Sequence, residues 1–266
     1  MRLTRVFIDG TLTPGTIVEL ARDTGSHLAK VLRARCGDEL ILFNGDGGEF
    51  TGAIEAVQGS RVSASIGAAR SIDRESPFML TLVQCVPRGD RMDFIVQKAT
   101  ELGVGRIVPV LSQRSVVRLD ERQAASKRAH WRAVAVSACE QCGRNRLPSI
   151  EAPQSLLNYL GAMTPAETPG FLRLVLEPER APHPQQAHSI VDAALPVRGA
   201  HIAIGPEGGF APEELEALEL SAFCRIGLGP RVLRTETAAI AAIVVLQARF
   251  GDMSVVSDDA SRTADS

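Results

Sequence analysis

Ile204-Gly205-Pro206-Glu207-Gly208-Gly209-Phe210 and Leu228-Gly229-Pro230-Arg231-Val232-Leu233-Arg234-Thr235-Glu236-Thr237 decide how this chain is read. Each follows a short apolar run with the character of a buried strand, His201 to Ile204 and Phe223 to Leu228. Each also precedes a helical pattern. Glycine at the carboxyl end of a strand permits positive φ and lets a ligand approach bare backbone. Proline beside it stiffens the turn and withholds a donor. Either loop alone reads equally well as a glycine-rich turn. Two of them at one sheet edge point to a ligand site, because open α/β sheets bind ligands outside the carboxyl ends of their strands.

Working outward, strands and helices alternate from Phe78 to Phe250. Phe78 to Val86, Arg106 to Leu111 and Phe171 to Leu176 join the two strands above. Asp90 to Leu102, Glu121 to Gln141, Pro212 to Leu220 and Thr235 to Phe250 carry helical periodicity. The fold class this predicts is α/β, a mostly parallel sheet with helices on both faces. Upstream, residues 1–72 read as short strands around one helix, Ser26 to Ala34. Asn44-Gly45-Asp46-Gly47-Gly48 is a hairpin signal between two of those strands. The expected organisation is a β-barrel over 1–72, an α/β domain over 73–251 and a polar, disordered tail over 252–266.

The 266 residues carry a net charge of −2, but the charge is unevenly placed. Residues 76–146 hold twelve basic and six acidic side chains, whereas residues 147–266 hold eight and fifteen. A basic middle segment is an electrostatic footprint for a polyanion. Only Lys30, Lys98 and Lys127 are lysines, and arginine is the residue that grips phosphate with two donors. No apolar run reaches the ~20 residues of a membrane span. Arg2, Arg5 and Asp9 interrupt any leader-like apolar stretch. These features, with an odd number of cysteines, predict a cytoplasmic protein with reduced thiols.

Several chemistries lack their residues. G-x-G-x-x-G, the P-loop, G-x-S-x-G and H-E-x-x-H do not occur. Cys139-x-x-Cys142 has no second Cys or His pair at zinc spacing, so no metal is expected. Glu207 and the acids at 213, 214 and 216 would repel a phosphate at the first glycine loop, which suits a cation better.

The two loops, GPEGGF and LGPRVLRTETA, resemble the signature of the SPOUT-superfamily RNA methyltransferases. More narrowly, they resemble the bacterial family that methylates N3 of a uridine in small-subunit (16S) ribosomal RNA. The likeness runs through Arg5-Val6-Phe7, His27 to Arg33, Arg88 to Asp93, Gln97 to Gly103 and Cys139 to Arg146. It implies an N-terminal PUA-like barrel, a C-terminal trefoil-knotted sheet and S-adenosylmethionine as cofactor. On that reading Leu228, Val232 and Leu233 form an apolar slot for the adenine. Polar contacts come from the backbone of Leu176, Gly205, Gly208 and Gly229, and Glu207 faces the sulfonium. Arg5, Arg33, Arg91, Arg144 and Arg146 are the expected RNA contacts.

Uridine N3 must lose a weakly acidic proton as it is methylated. Glu140, Glu207 and Glu236 are candidate acceptors, with Arg88, Arg91 and Arg234 available to stabilise the developing anion. Of these, Arg234, Glu140 and Arg88 are taken as the catalytic set. Glu236 reads equally as a first-turn acid beside the helix dipole. The uncharged stretch Ala238 to Leu246 predicts a helix covered on every side, by its own chain or by a second subunit. The likeness implies a homodimer. Ribose or transfer-RNA base methylation, and a non-catalytic RNA-binding role, remain as alternatives.

Overall fold

The computed structural model describes residues 3–163, 170–177 and 197–253. They form two compact units. Most of the expected tail, from 254 onward, lies outside the described residues, as does the proline-rich stretch 178–196.

The first unit comprises residues up to Glu75 together with Val96–Glu101 and Ala129–Ser149. Its elements in order are β1 (Thr4–Phe7), β2 (Ile17–Glu19), α1 (Arg22–Lys30), β3 (Glu39–Phe43), β4 (Glu49–Gln58) and β5 (Arg61–Arg70). They build a five-stranded mixed sheet in the order β1-β3-β4-β5-β2, in which only β1 and β3 run parallel. Irregularities at Phe50/Gly52 and Ile54/Ala56 bend the long β4–β5 pair. Inside the bend lie Val6, Leu20, Leu28, Leu40, Leu42, Ile54, Val62 and Ile66, all buried.

Helix α1 starts and ends four residues earlier than the sequence predicts. Its buried face is Gly25 and Leu28. Gly25 lets the helix sit against the β4–β5 turn, where a Cβ would lie 2.6 Å from the Ser60 carbonyl oxygen. The chain leaves the helix after Lys30, with Arg33 in the left-handed region at φ 53°. Val31 and Leu32, which fall inside the expected helix, lie beyond its end and are exposed.

A buried polar network explains why Ala129–Ser149 joins this unit. Arg5 donates to Glu49 Oε2 at 2.7 Å, to Asn145 Oδ1 at 2.5 Å and to the Arg144 carbonyl at 3.2 Å. Arg144 in turn binds Glu75 Oε2 at 2.6 Å and the Thr100 carbonyl at 2.8 Å. A charge is retained in an interior only when paired and hydrogen-bonded, and these partners come from segments far apart in sequence. Burial alone would push the Glu49 carboxyl up. Hydrogen bonds from Arg5, Arg74 and Asn145, with the Arg5 charge, hold it below the ordinary value.

The second unit holds β6 (Met79–Cys85), the start of α2 (Arg91–Glu101), β7 (Arg106–Leu111) and the start of α3 (Glu121–Cys142). After the short β8 (Ser149–Ile150), which straddles the division, come β9 (Gln154–Ser155), α4 (Leu156–Ala162), β10 (Phe171–Leu176) and β11 (Gly199–Ile204). The chain closes with α5 (Pro212–Leu220), β12 (Cys224–Ile226) and α6 (Thr235–Phe250). The sheet order is β12-β10-β11-β6-β7-β8, with β9 also on β7. From β12 to β7 every neighbouring pair is parallel. One face packs Val83, Val108, Val175 and Ala203 against Leu156 and Tyr159 of α4 and Leu218 of α5. Helix α4 has no counterpart in the sequence reading, being only seven residues long and too short for a periodic signal. Helix α6 lies against β11 and β6, with Ala239, Ala242, Ile243 and Leu246 buried. After the edge strand β12 the chain therefore doubles back to the middle of the sheet. Among the described residues no helix is long and apolar enough to cross a membrane.

Candidate functional site

Register places the site. Leu176 pairs with Ile204 on one side and with Ile226 on the other, so β10, β11 and β12 end level with one another. The loops that follow β11 and β12 are consequently held apart by the width of one strand. Adjacent strands are spaced ~4.8 Å, so the loops face each other across a gap that a small molecule can fill.

Between them lies a cavity of about 240 Å³. Its floor is Leu176, Ile204 and Ala238, and its walls are the glycine loops with Leu228, Val232 and Leu233. Of the eight residues expected to hold a cofactor, Leu176, Gly205, Glu207, Leu228, Gly229, Val232 and Leu233 line this cavity. Gly208 does not; its carbonyl accepts from Arg114 Nη1 at 3.0 Å. Gly229 adopts φ +73°, a conformation that a side-chain-bearing residue resists, and a Cβ there would meet open space. At Gly205 a Cβ would come within 3.3 Å of the Phe210 ring. Val232 is 81% exposed, an apolar side chain on the rim of an apolar slot.

Two residues that the sequence reading did not single out tie the loops together. Thr235, the first residue of α6, donates its hydroxyl to the Gly205 carbonyl at 2.8 Å. It accepts from Gln84 Nε2 at 3.0 Å, and the same nitrogen donates to the Cys85 carbonyl at 2.8 Å. Gln84 is fully buried, and its Oε1 has no partner among the described residues. The signal was present: a glutamine near the end of an otherwise apolar strand has to satisfy its amide inside the protein.

Charge around the slot is arranged by pairs. Arg91 Nη1 meets Glu207 Oε1 at 2.5 Å and Arg91 Nε lies 3.9 Å from Glu236 Oε1. Glu207 thus reaches the cavity already paired, and Arg91 is bound to a carboxylate rather than free for phosphate. Glu214, counted among the acids that repel phosphate, points inward instead. It is buried and accepts from Gln113 N and Ala211 N at 2.8 and 2.9 Å.

The remaining expected residues separate by burial. Arg234 is exposed and lines the cavity as the residue preceding α6, and Arg88 is exposed just ahead of α2. Glu140 belongs to the first unit and accepts from the Phe7 amide at 3.0 Å; burial raises its pKa. Arg33 and Arg146 are exposed. Arg5 and Arg144 are not. Their donors go to the internal partners described above, which makes them ties within the first unit rather than surface contacts for a nucleic acid.

An apolar slot with bare backbone, edged by the paired carboxylate of Glu207 and by Arg231 and Arg234, suits a flat, hydrogen-bonding group with charged ends. The RNA methyltransferase domain family matches residues 74–247, and the RNA methyltransferase PUA domain family matches residues 20–67. The ribosomal RNA small subunit methyltransferase E of Buchnera aphidicola (subsp. Schizaphis graminum) is 32% identical over 253 residues. That match covers 95% of this chain and 99% of the relative. The chain belongs to the ribosomal RNA small subunit methyltransferase E family. Among solved structures, the methyltransferase E of Neisseria gonorrhoeae, bound to S-adenosyl methionine, superposes with a TM-score of 0.83 at 34% identity. It covers 95% of this chain and all of the other. A methyltransferase of Legionella pneumophila in complex with the cofactor gives 0.85 at 38% identity, with the same coverage.

Proposed function

We propose that this protein methylates N3 of one uridine in the 16S ribosomal RNA of the small subunit, using S-adenosylmethionine, and works as a cytoplasmic homodimer. The observation that carries this reading is the single cavity shared by both glycine loops, in a chain of this family. The slot of Leu176, Leu228, Val232 and Leu233 fits an adenine, the glycine backbone offers it hydrogen-bond partners, and Glu207 gives the cationic end a carboxylate. The two similar structures that hold the cofactor support the same assignment.

When bound, S-adenosylmethionine supplies a methyl group already activated by its sulfonium. The protein's own share is alignment, electrostatics and removal of the imide proton. Arg234, on the cavity wall, and Arg88 stabilise the negative charge that develops on the uracil. Glu140 accepts the proton. Burial raises its pKa, which makes it a stronger base than an exposed carboxylate.

RNA affinity comes from exposed arginines, among them Arg33 and Arg146, and from the net positive charge of residues 76–146. For the dimer, the support is the outer side of α6. Val245 is 53% exposed and lies in a stretch without charge. A second copy laid across that face would cover it.

The test uses the full chain, methyl-labelled S-adenosylmethionine and small subunits lacking the modification, followed by mass spectrometry of the nucleosides. One 3-methyluridine per subunit is expected. A ribose-methylated nucleoside, or no transfer, overturns the substrate assignment. Light scattering on the active protein tests the dimer, and an active particle of 28.4 kDa removes it.

A further inference from the structure

The last turn of α3 carries two thiols that neither the cavity nor the buried network uses. Cys139 is fully buried and Cys142 is partly exposed. Their side chains hydrogen-bond to each other. Cys139 Sγ also lies 3.6 Å from the Arg146 carbonyl oxygen, so its one S–H proton is shared between that oxygen and Cys142, and the Arg144 amide bonds to the Cys142 sulfur. The hydrogen bond from Cys139 pulls the Cys142 thiol down to about 6, against the effect of burial, with the Arg144 amide and charge helping. The same contact, together with burial, pushes Cys139 up. One sulfur is therefore a reachable nucleophile, and the other is a thiol waiting directly behind it. That division of roles characterises cysteine pairs that react with peroxides.

We propose that Cys139 and Cys142 are a modification site for hydroperoxides and close into a reversible intramolecular disulfide. The Cys142 thiolate attacks the outer peroxide oxygen, forming an S–O bond and breaking the O–O bond; the leaving alkoxide takes up a proton as an alcohol. Cys139 then attacks the resulting sulfenic sulfur. An S–S bond forms, the S–O bond breaks, and hydroxide departs with the Cys139 proton as water. Two thiols lose two electrons and the peroxide gains them.

Helical spacing tells how stable that bond is. Residues three apart on a helix hold their Cβ atoms ~5–6 Å apart, whereas a disulfide needs ~3.5–4.5 Å. The last turn has to tighten, and a strained disulfide is readily reduced by small thiols. Closing it also breaks the hydrogen bond from Cys139 to Arg146. That carbonyl lies in a loop seated by three further bonds: Gly47 N to Asn145 O, Leu147 N to Gly45 O, and Arg146 N to Glu75 Oε1. Oxidation thus shifts the seat of Arg146, an exposed arginine of the proposed RNA surface. The chemistry itself does not depend on that surface.

The full-length protein is titrated with hydrogen peroxide, trapped by alkylation after unfolding, and mapped by peptide mass spectrometry. The expected product is loss of two hydrogens within the one peptide that holds both residues, reversed by dithiothreitol, before Cys36 or Cys224 reacts. Cys139→Ser should trap Cys142 as a sulfenic acid. Cys139→Ala, which leaves no donor at that position, should slow that first step at pH 7 by roughly tenfold, because the hydrogen bond that favours the thiolate is gone. Cys142→Ser should leave Cys139 alkylatable after peroxide treatment. Overturning results are a Cys139 that stays reduced while Cys142 passes to sulfinic acid, or earlier oxidation of Cys36 or Cys224. A methyltransferase assay is not needed for either outcome, so failure here leaves the proposed function standing.

Discussion

Thr235→Val removes one hydroxyl and keeps the shape of the side chain. That hydroxyl donates to the Gly205 carbonyl at 2.8 Å and accepts from Gln84 Nε2 at 3.0 Å, in a residue only 5% exposed. Gln84 Nε2 keeps its second partner, the Cys85 carbonyl, so its loss is a single hydrogen bond, about 1 kcal/mol. The Gly205 carbonyl, only part-buried beside the cavity, loses this bond, and an unsatisfied acceptor there costs about 1–2 kcal/mol. The sum is about 2–3 kcal/mol. If the Gly205 loop holds its place, the cost appears as a Tm lowered by roughly 5–10 °C. If the loop relaxes, the cost appears as S-adenosylmethionine bound roughly 30–150-fold more weakly. Calorimetry and thermal unfolding on the same sample measure both, and the two contributions should add to the stated range. Thr235→Ser, which restores the hydroxyl, should recover most of the loss. A Tm within a degree of the parent together with a Kd within twofold would refute the idea that Thr235 clamps the two loops.

Gly229→Val should weaken cofactor binding by at least tenfold, measured calorimetrically. The backbone there is left-handed, at a cost of about 1–2 kcal/mol for a residue with a side chain, and the new side chain enters open cavity. Arg144→Met should lower stability by about 3 kcal/mol in urea unfolding, because it leaves the largely covered Glu75 carboxylate without its cation. Adding Glu75→Gln should recover part of that loss, whereas a surface role for Arg144 predicts no change. His201 accepts or shares a hydrogen bond with the Tyr159 hydroxyl at 2.7 Å. Burial, then the charges of Arg106 and Arg173, lower its pKa from 6.5 to about 4. Between those values the unfolded chain binds the proton and the folded chain does not. The stabilising contribution is complete above pH 6.5 and is lost as pH falls toward 4. His201→Gln should flatten that part of the stability profile, and an unchanged slope would exclude His201 as its source.

How much was legible in advance depends on the range of the interaction. The glycine loops, the parallel sheet and the closing helix were readable because each rests on local signals: apolar runs ended by Gly-Pro, and three- and four-residue periodicity. Both loops line one cavity because strands β10, β11 and β12 end level, and the alternating pattern already implied a common carboxyl edge. Helix α1 was misplaced by four residues because Gly25, silent in any periodicity, sets its contact with the Ser60 carbonyl.

The arginines show where sequence stops. Charge counting treats Arg5, Arg33, Arg91, Arg144 and Arg146 alike, since each side chain is equally basic in isolation. Only tertiary structure sorts them. Arg5 and Arg144 are taken inside by Glu49, Asn145 and Glu75, Arg91 is paired with Glu207, and Arg33 and Arg146 stay at the surface. The partners lie as far as 140 positions away in the chain, and no local pattern announces them. The sequence alone determined the family, the order of elements and the loops that form the pocket, because those follow from residues near one another. The tertiary structure decided which charges face water and which polar side chains lock the loops, because burial and long-range hydrogen bonds exist only once the chain is folded.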